Sequence, residues 1–287
     1  MTIATIPCDA KDAPDFGIMK VNGKGFIQSF VEKPQPYILQ NWKSEMSAED
    51  KAQGKHWLAS MGIYLFKKEA LLKLFEDNPN ATDFGKELIP SAIKTGKSVA
   101  SYQFNGYWTD IGTITSFYDA NLALTKPIPE YNLFSKERPV YTRQRMLPPT
   151  KLFGTQTNEA MIADGCIIHA KSIDSSLIGI RQRIGEGTVI IDSILMGAQR
   201  YQTIDEIVAL GDNPPMGVGS DSYIEKAIID KNCQIGSNVE IIGGDELEDV
   251  TEENYCVRDG IIVLKKGALI PSGTKIGAVK QEVEVEG

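Results

Sequence analysis

The sequence predicts a chain in two parts, a mixed α/β domain followed by an all-β domain built as a parallel β-helix. Between residues 16 and 124, apolar residues follow the spacing of strands in some segments and of helices in others. Beyond residue 150, aliphatic residues recur every six positions, the period at which each short strand of a β-helix buries one side chain. A proline-rich segment separates the two patterns.

Composition limits the possible partners. With 287 residues, 42% of them hydrophobic, the chain is long enough for two domains with separate cores. Its net charge is −8, from 38 acidic and 30 basic residues. General nucleic-acid binding depends on a basic surface, so the charge argues against that class. Small molecules or other protein chains are the expected partners.

The cysteines and the N-terminal residues indicate where the chain resides. Cys8, Cys166, Cys233 and Cys256 lie far apart without a Cys-x-x-Cys pair, so a structural zinc site is not expected. Reduced thiols fit a cytosolic protein, and no segment approaches the roughly 20 apolar residues of a membrane span. We expect a cytoplasmic location, with a plastid left open, and a strand at residues 1–7 that joins a sheet.

The first elements form a hairpin. Two β-rich runs at 16–21 and 26–31 flank Asn22-Gly23, a pair that tolerates the positive φ angles of a tight turn. The hairpin therefore delivers Glu32 and Lys33 at its end.

Three helices and one further strand complete the first domain. Helical spacing predicts a helix at 67–76, and Asp83 is placed to cap a second helix that Gly96 ends. A strand at 99–104 and a helix at 114–124 follow. The predicted domain covers residues 1–125.

The segment 126–150 is predicted to be a linker, because five prolines fix φ angles and remove backbone donors. The second predicted domain covers 151–287. Its recurring aliphatic residues are Ile162, Ile168, Ile178, Ile184, Ile190, Val218, Ile224, Ile229, Ile235 and Ile241. The segments 201–215 and 245–253 interrupt the period as loops between coils. An ordinary β-sandwich is the alternative fold for this domain.

Two short runs carry residues suited to phosphate chemistry. Asp110, in the run Tyr107–Thr113, supplies the hard oxygen that Mg²⁺ prefers. Lys33 can neutralise a phosphate monoester, and Glu32 can accept hydrogen bonds from sugar hydroxyls. The plainer readings are an exposed helix cap at Asp110 and a solvated charge pair at the strand end. A Gly-rich turn that would hold a nucleotide's phosphates does not occur in the sequence.

Several runs in order resemble ADP-glucose pyrophosphorylase, also called glucose-1-phosphate adenylyltransferase. The runs are Phe30–Pro34, Ala59–Tyr64, Asp83–Gly85, Tyr107–Thr113, Ser116–Leu124, Leu147–Thr150, Ile194–Ala198 and Ile228–Asn232. The resemblance implies a partial Rossmann-like nucleotidyltransferase domain followed by a left-handed parallel β-helix that packs subunits together and carries regulation. Family members begin with a Gly-Gly-x-Gly-Thr-Arg-Leu loop and a first metal-binding aspartate. The sequence opens downstream of both, so a C-terminal portion is expected.

The resemblance also implies site residues and ligands. Asp110 matches the second metal-binding aspartate, a catalytic residue that would hold Mg²⁺. The sugar-phosphate contacts that it implies are Glu32, Lys33, Ser60, Gly62 and Trp108. Gly62 would allow close approach of the backbone, and Trp108 would wall the same pocket. ATP and glucose 1-phosphate are the implied substrates, in a homo- or hetero-oligomer that is a tetramer by family.

Cations in the second domain are candidates for an effector site. Lys231 and Lys266 match two lysines that bind the phosphorylated activator in plant and cyanobacterial relatives. Arg181 and Arg183 are further candidates, because guanidinium groups suit phosphate, and Arg143 and Arg145 in the linker are others. Solvated surface charge is the alternative for each of them.

Three functions compete. The leading hypothesis is an adenylyltransferase of glycogen or starch synthesis whose site is incomplete in this chain alone. The second is a non-catalytic regulatory or assembly subunit. The third, an acyltransferase with His169 as the base, is weaker because a lone histidine on a β-helix coil is usually a surface residue. Gly243-Gly244 imitates a signalling-cyclase motif but suits a turn.

Overall fold

The structure is a computed structural model that describes residues 1–137 and 139–278. The chain forms two compact units, Met1–Gly106 and Tyr107–Gly287. Each unit contains its own hydrophobic core. Within the described part of the chain, every helix is too short or too polar to cross a bilayer.

The first unit contains a five-stranded mixed sheet in the order β3-β2-β4-β1-β5. Its strands are β1 (Thr2–Cys8), β2 (Gly17–Val21), β3 (Ile27–Glu32), β4 (Trp57–Leu65) and β5 (Ala100–Gln103). Strand β1 is parallel to β5 and antiparallel to β4, and β2 is antiparallel to both β3 and β4. The predicted N-terminal strand is thus confirmed, and it lies inside the sheet.

The predicted hairpin is formed by β2 and β3, but its turn differs from the expectation. The Asn22 side-chain oxygen accepts hydrogen bonds from the N–H groups of Lys24 and Phe26, each at 3.0 Å. The positive φ angle, +81°, falls on Gly25 and not on Asn22 or Gly23. Asparagine closes this loop through its side chain, and the left-handed position comes three residues later.

Three α-helices, two 3-10 turns and one π-helical segment accompany the sheet. The α-helices are α1 (Ala48–Ala52), α2 (Lys68–Asp77) and α3 (Ile89–Lys94). The other segments are the 3-10 turns Ala13–Asp15 and Pro36–Trp42 and the π-helical segment Phe84–Leu88, which leads directly into α3. Asp83 caps this last helix by accepting the Lys86 N–H at 2.8 Å, as predicted, and Gly96 follows its end with φ +74°.

The second unit is a β-helix with three parallel sheets, each taking one strand per coil. Sheet I contains Lys151–Leu152, Ile167–Ile168, Arg183–Ile184, Gly217–Val218, Gln234–Ile235 and Leu269–Ile270. Sheet II contains Gln156–Asn158, Ser172–Asp174, Val189–Ile191, Tyr223–Glu225, Glu240–Ile242 and Lys275–Gly277. Sheet III contains Met161–Ile162, Leu177–Ile178, Ile194–Leu195, Ala227–Ile229 and Ile261–Leu264, extended by antiparallel Tyr255–Arg258 and Val250–Thr251.

The six-residue period marks the core of this unit. Equivalent aliphatic residues lie directly above one another on successive coils, as Ile173, Ile190, Ile224 and Ile241 do in sheet II. All four are at most 1% exposed. The parallel pairing of every coil confirms the β-helix, and the β-sandwich alternative is wrong.

The first interruption lies between coils, as predicted, whereas the second lies within one coil, between Glu240–Ile242 of sheet II and Ile261–Leu264 of sheet III. Neither is simply a loop. Helix α5 (Ile204–Ala209) occupies the first and begins with a reciprocal capping box between Thr203 and Glu206. The second contributes the strand Val250–Thr251, which pairs with Tyr255–Arg258. The Thr-x-x-Glu spacing was the signal available for the helix.

Helix α4 (Ile114–Leu122) and the 3-10 turn Ala123–Thr125 also belong to the second unit. Thr113 caps α4 in a capping box with Ser116. The helix packs on the outer face of sheet III, where Tyr118 forms a cluster with Ile194, Ile228 and Ile261. The described residues of 126–150 that follow contain neither helix nor strand.

Candidate functional site

Glu32 and Lys33 lie where β3 ends. The Lys33 N–H donates to the Phe16 carbonyl at 3.0 Å, and Lys33 has φ +46° with an exposed side chain. A non-glycine residue in the left-handed region costs about 1–2 kcal/mol. Such strained residues cluster at ligand-binding positions. The turn presents the ammonium group to solvent at the edge of the sheet.

The Glu32 carboxylate rests against two glycines. A Cβ atom on Gly17 would lie 2.7 Å from Glu32 Oε2, and one on Gly85 would lie closer still. Burial, followed by the neighbouring Asp83 carboxylate, raises the pKa of Glu32, while Lys33 and Lys86 oppose that shift. The backbone therefore leaves a defined space for this carboxylate.

The run Asp83-Phe84-Gly85 builds the support beneath Glu32. Asp83 caps the helix, Phe84 stacks on Tyr64 with ring centroids 5.6 Å apart, and Gly85 leaves room for the carboxylate. Sequence analysis assigned a role only to Asp83. The signal it missed was a glycine in the first turn of a helix, where glycine is unfavourable unless close packing requires it.

Replacing Gly85 with alanine should displace the Glu32 carboxylate at little cost in stability. The atom that the new methyl group would meet is the tip of a flexible side chain, so the helix can keep its place. If glucose 1-phosphate binds here as the sequence predicts, affinity for it should fall about threefold to tenfold, while the free energy of unfolding changes by less than about 1 kcal/mol. Calorimetric titration and urea unfolding measure the two quantities.

Gly23→Ala is the matched control, because a Cβ atom there meets nothing within 4 Å. Equal effects of Gly85→Ala and Gly23→Ala on sugar-phosphate affinity would contradict the role of Gly85.

Ser60 lies on β4 beside the same residues. It is 8% exposed, and its hydroxyl accepts the Gly62 N–H at 3.3 Å. Burial raises the pKa of Tyr64, its hydrogen bond with Ser60 opposes the shift, and Glu32 and Asp83 raise it further. Tyr64 therefore connects Ser60 with the carboxylates of the first unit.

Gly62 has a conformational role. Its φ angle is +71°, and a Cβ atom there would meet nothing within 4 Å. The glycine is required because the backbone is left-handed at this position, which sequence analysis did not foresee.

Asp110 and Trp108 belong to the second unit. Asp110 is exposed, and its Oδ2 atom accepts the Gly112 N–H at 3.2 Å. A Cβ atom on Gly112 would lie 2.6 Å from Oδ2, so a side chain there would displace the carboxylate. The contact partner of that Cβ atom is a side-chain tip that can move, as at Gly85. Because Thr113 is the N-cap of α4, the reading of Asp110 as the helix cap is wrong. The carboxylate instead occupies a tight turn just before the helix.

Trp108 lines an open cleft of about 550 Å³ within the second unit. Tyr107 also lines the cleft, together with polar residues that include Ser116, Asp119 and Lys126. The Tyr107 ring stacks on Tyr131 with centroids 6.1 Å apart. Aromatic walls with a few polar groups are typical of small-molecule sites.

Asp110 fits the requirements of a single protein ligand to Mg²⁺. Across residues 1–137 and 139–278, no three or more His, Cys, Asp or Glu side chains form a group able to hold a metal ion. Mg²⁺ is commonly held by one or two carboxylates together with water and substrate phosphates. An exposed carboxylate such as Asp110 suits that mode and does not suit a closed, all-protein site.

Lys231 and Lys266 lie together at one corner of the β-helix. This corner consists of the turns 163–166, 179–182, 196–200, 230–233 and 265–268, which follow the strands of sheet III. The Gly267 N–H donates to the Lys231 carbonyl at 2.9 Å, and the Asn232 N–H donates to Gly197 at 3.1 Å. Adjacent strands lie about 5 Å apart, so the two exposed lysines stand on neighbouring coils.

The two arginine candidates are placed differently. Arg181 lies at the same corner, two coils before Lys231, with Nη1 donating to the Ala198 carbonyl at 3.4 Å and its guanidinium 5.7 Å from the Tyr201 ring centre. Arg183 is on sheet I and lines a separate cleft of about 170 Å³. The structure thus brings Arg181 to the lysine corner and places Arg183 next to it, where both arginines line a small cleft with Gly197 and Asn232.

The structure explains His169 and the Gly243-Gly244 pair without assigning either of them a catalytic or signalling role. His169 is exposed and stacks on Phe153 with ring centroids 4.1 Å apart. A Cβ atom on Gly243 would lie 2.6 Å from the Gly260 carbonyl oxygen, so close backbone packing requires glycine there. Arg143 and Arg145 are exposed in the linker.

The two parts of the chain each match a known protein family. Residues 1–127 match the Nucleotidyl transferase family, and residues 145–275 match the GLGC left-handed parallel beta-helix domain. Fold and matches together define a nucleotidyltransferase domain followed by a left-handed β-helix, the predicted fold class. The chain belongs to the ADP-glucose pyrophosphorylase-like proteins, which confirms the resemblance found in the sequence.

Proposed function

We propose that the chain serves glucose-1-phosphate adenylyl transfer, in which ATP and glucose 1-phosphate give ADP-glucose and pyrophosphate for glycogen or starch synthesis. In this proposal it contributes the sugar-phosphate half of the site. The observation that carries it is the pairing of an exposed Lys33 ammonium with a Glu32 carboxylate that Gly85 makes room for.

The proposed roles follow from the chemistry of the reaction. A phosphate oxygen of glucose 1-phosphate attacks the α-phosphate of ATP, so charge neutralisation matters more than proton transfer. Lys33 neutralises the sugar phosphate, while Glu32 and Ser60 accept or donate hydrogen bonds at the sugar hydroxyls. Within the second unit, Trp108 provides an aromatic wall to the cleft that it lines. Mg²⁺, held by Asp110, would supply positive charge at the nucleotide's phosphates when bound.

Lys33→Ala should weaken glucose 1-phosphate binding about 10-fold to 100-fold, because it removes a charged donor to the phosphate. Calorimetric titration with glucose 1-phosphate measures the loss. Lys24→Ala is the matched control, since Lys24 is exposed in the turn at the opposite end of β3. Wild-type affinity in Lys33→Ala would overturn the proposed site.

ADP-glucose formation provides the second arm of the test. With ATP, glucose 1-phosphate and Mg²⁺, activity that falls in Asp110→Asn supports the aspartate as the metal ligand. Equal activity in Asp110→Asn contradicts that assignment. Because Asp110 is exposed, the substitution should leave folding intact, which circular dichroism can check.

A non-catalytic regulatory or assembly subunit is the second candidate. It is favoured by the left-handed β-helix of residues 145–275, to which the resemblance assigns subunit packing and regulation. It predicts that the chain forms a hetero-oligomer with a complete homologue and changes that enzyme's response to effectors. Independent elution of the two proteins on size-exclusion chromatography would count against it.

We further propose that Lys231 and Lys266 bind a phosphorylated effector. Their support is a shared corner on neighbouring coils, where two exposed ammonium groups can face one anion.

A further inference from the structure

The coil that precedes Lys231 and Lys266 carries another cationic side chain, Arg200, at the same corner of the β-helix. Gln199 joins this coil to the next through two hydrogen bonds with Asn232: its N–H donates to Oδ1 at 2.8 Å, and its Oε1 accepts from Nδ2 at 2.9 Å. The backbone of Arg200 therefore follows directly on a residue that is held to the Lys231-Asn232 turn, while its side chain contacts Glu206 and the Tyr201 carbonyl. On this coil the position equivalent to the two lysines is Gly197, which has no side chain.

We propose that Arg200 completes an anion site with Lys231 and Lys266, and that Glu206 competes with the bound anion for Arg200. The ligand class is a phosphorylated small molecule. This inference rests on the proposed effector role of the two lysines and adds a binding residue and an internal competitor to it.

A bound anion can compete with Glu206 for Arg200 because the Arg200–Glu206 ion pair is exposed to solvent. Arg200 Nη1 lies 2.7 Å from Glu206 Oε2, and the two side chains are 59% and 42% exposed. Ion pairs at such exposure contribute little to stability. When Arg200 leaves, Glu206 still accepts the Thr203 N–H at 2.8 Å. Neither the carboxylate nor the start of α5 is then left without a hydrogen bond.

A phosphate group offers Arg200 more than one carboxylate does. The guanidinium fork can bind two phosphate oxygens, and this geometry is one that lysine cannot supply. The neighbouring coils add Lys231 and Lys266 at a spacing of about 5 Å. The nearest acidic residue of the turn, Asp230, already accepts the Lys231 N–H at 2.6 Å.

The insertion that carries α5 keeps its attachment when Arg200 changes partner. The Tyr201 hydroxyl donates to the Gly165 carbonyl at 2.9 Å, and the Tyr201 ring lies under Arg181. Anion binding therefore changes one ion pair at the helix start without detaching the insertion. The site becomes sensitive to the charge of Glu206.

Binding of inorganic phosphate tests the proposal. The full chain is titrated calorimetrically at fixed ionic strength, with Lys33→Ala in every variant so that the proposed sugar-phosphate lysine does not contribute. We expect Arg200→Ala to weaken phosphate binding about tenfold. Glu206→Gln should strengthen it about twofold to fivefold, because the competitor loses its charge.

Asp205→Asn is the matched control, because it removes the same charge one residue earlier in the same helical turn. It should leave phosphate affinity unchanged. Equal gains in phosphate affinity in Glu206→Gln and Asp205→Asn would mean that any lost negative charge nearby has this effect. That result would overturn the proposed competition between Glu206 and the anion. Arg200→Lys keeps the positive charge but removes the planar guanidinium group. A loss of phosphate affinity in this variant therefore supports bidentate binding by Arg200.

The lysine variants separate this inference from the proposed effector role. If Lys231→Ala and Lys266→Ala weaken phosphate binding but Arg200→Ala does not, Arg200 is outside the site and only this inference fails. If none of the three substitutions changes the affinity, the effector role fails as well. Thermal unfolding monitored by circular dichroism verifies that each exposed-site variant is folded.

Discussion

Replacing Gly197 with alanine should lower the free energy of unfolding of the β-helix by about 3 kcal/mol or more. Two effects add. The residue has φ +77°, and its Cβ atom would lie 2.7 Å from the Gly179 carbonyl carbon and 2.8 Å from the Ile180 nitrogen. Both atoms are backbone of the adjacent coil. Interstrand hydrogen bonds, such as that from Ala198 to Ile180 at 2.9 Å, hold this spacing and prevent relief.

Gly211→Ala separates the two effects. Gly211 also has a positive φ angle, +61°, but a Cβ atom there would meet nothing within 4 Å. We expect a loss of about 1–2 kcal/mol from the backbone conformation alone. Urea unfolding followed by circular dichroism compares the two variants. Equal losses would show that the neighbouring coil yields to the methyl group.

Truncating Tyr118 to alanine should destabilise the second unit by about 3–5 kcal/mol. The ring is 7% exposed and forms the buried centre of the contact between α4 and sheet III, beside Ile194 and Ile228. Its hydroxyl donates to the Asp192 carbonyl. Tyr118→Phe should cost only about 1 kcal/mol, because the packing remains and one hydrogen bond is lost.

The measurement is urea unfolding together with amide hydrogen exchange of residues 114–122. Tyr141→Ala is the control, because Tyr141 is 93% exposed. Faster exchange across α4 in Tyr118→Ala would show that the aromatic ring holds the helix on the sheet. Similar stability in Tyr118→Ala and Tyr141→Ala would mean that the contact contributes little.

Tyr118 also bears on the proposed metal ligand. Asp110 occupies the turn immediately before α4, and Thr113 caps that helix. If α4 detaches from sheet III, the Asp110 carboxylate in the preceding turn therefore loses its fixed position. In an active assembly, we expect Tyr118→Ala to reduce Mg²⁺-dependent turnover more than it reduces glucose 1-phosphate binding.

Local signals in the sequence were sufficient for much of the fold. The hairpin before Glu32, the helix cap at Asp83 and the coils of the β-helix were all predicted from neighbouring residues. Each depends on hydrogen bonds or side-chain spacing within one or two turns of chain. The family followed from short runs in order, which also directed attention to Lys33 and Asp110.

The features that remained hidden join residues distant in the chain. Gly85 leaves space for Glu32, and Gln199 forms a hydrogen bond with Asn232 in the turn that contains Lys231. The docking of α4 on sheet III is of the same kind.

The sequence by itself determined the hairpin, three of the helices, the β-helix period and the family, because periodicity and capping act over short distances. Only the tertiary structure decided which glycine makes room for a carboxylate, which coil supplies the next cation, and which sheet receives α4. These outcomes depend on packing between separate elements, and the spacing of residues along the chain does not encode their distances in space.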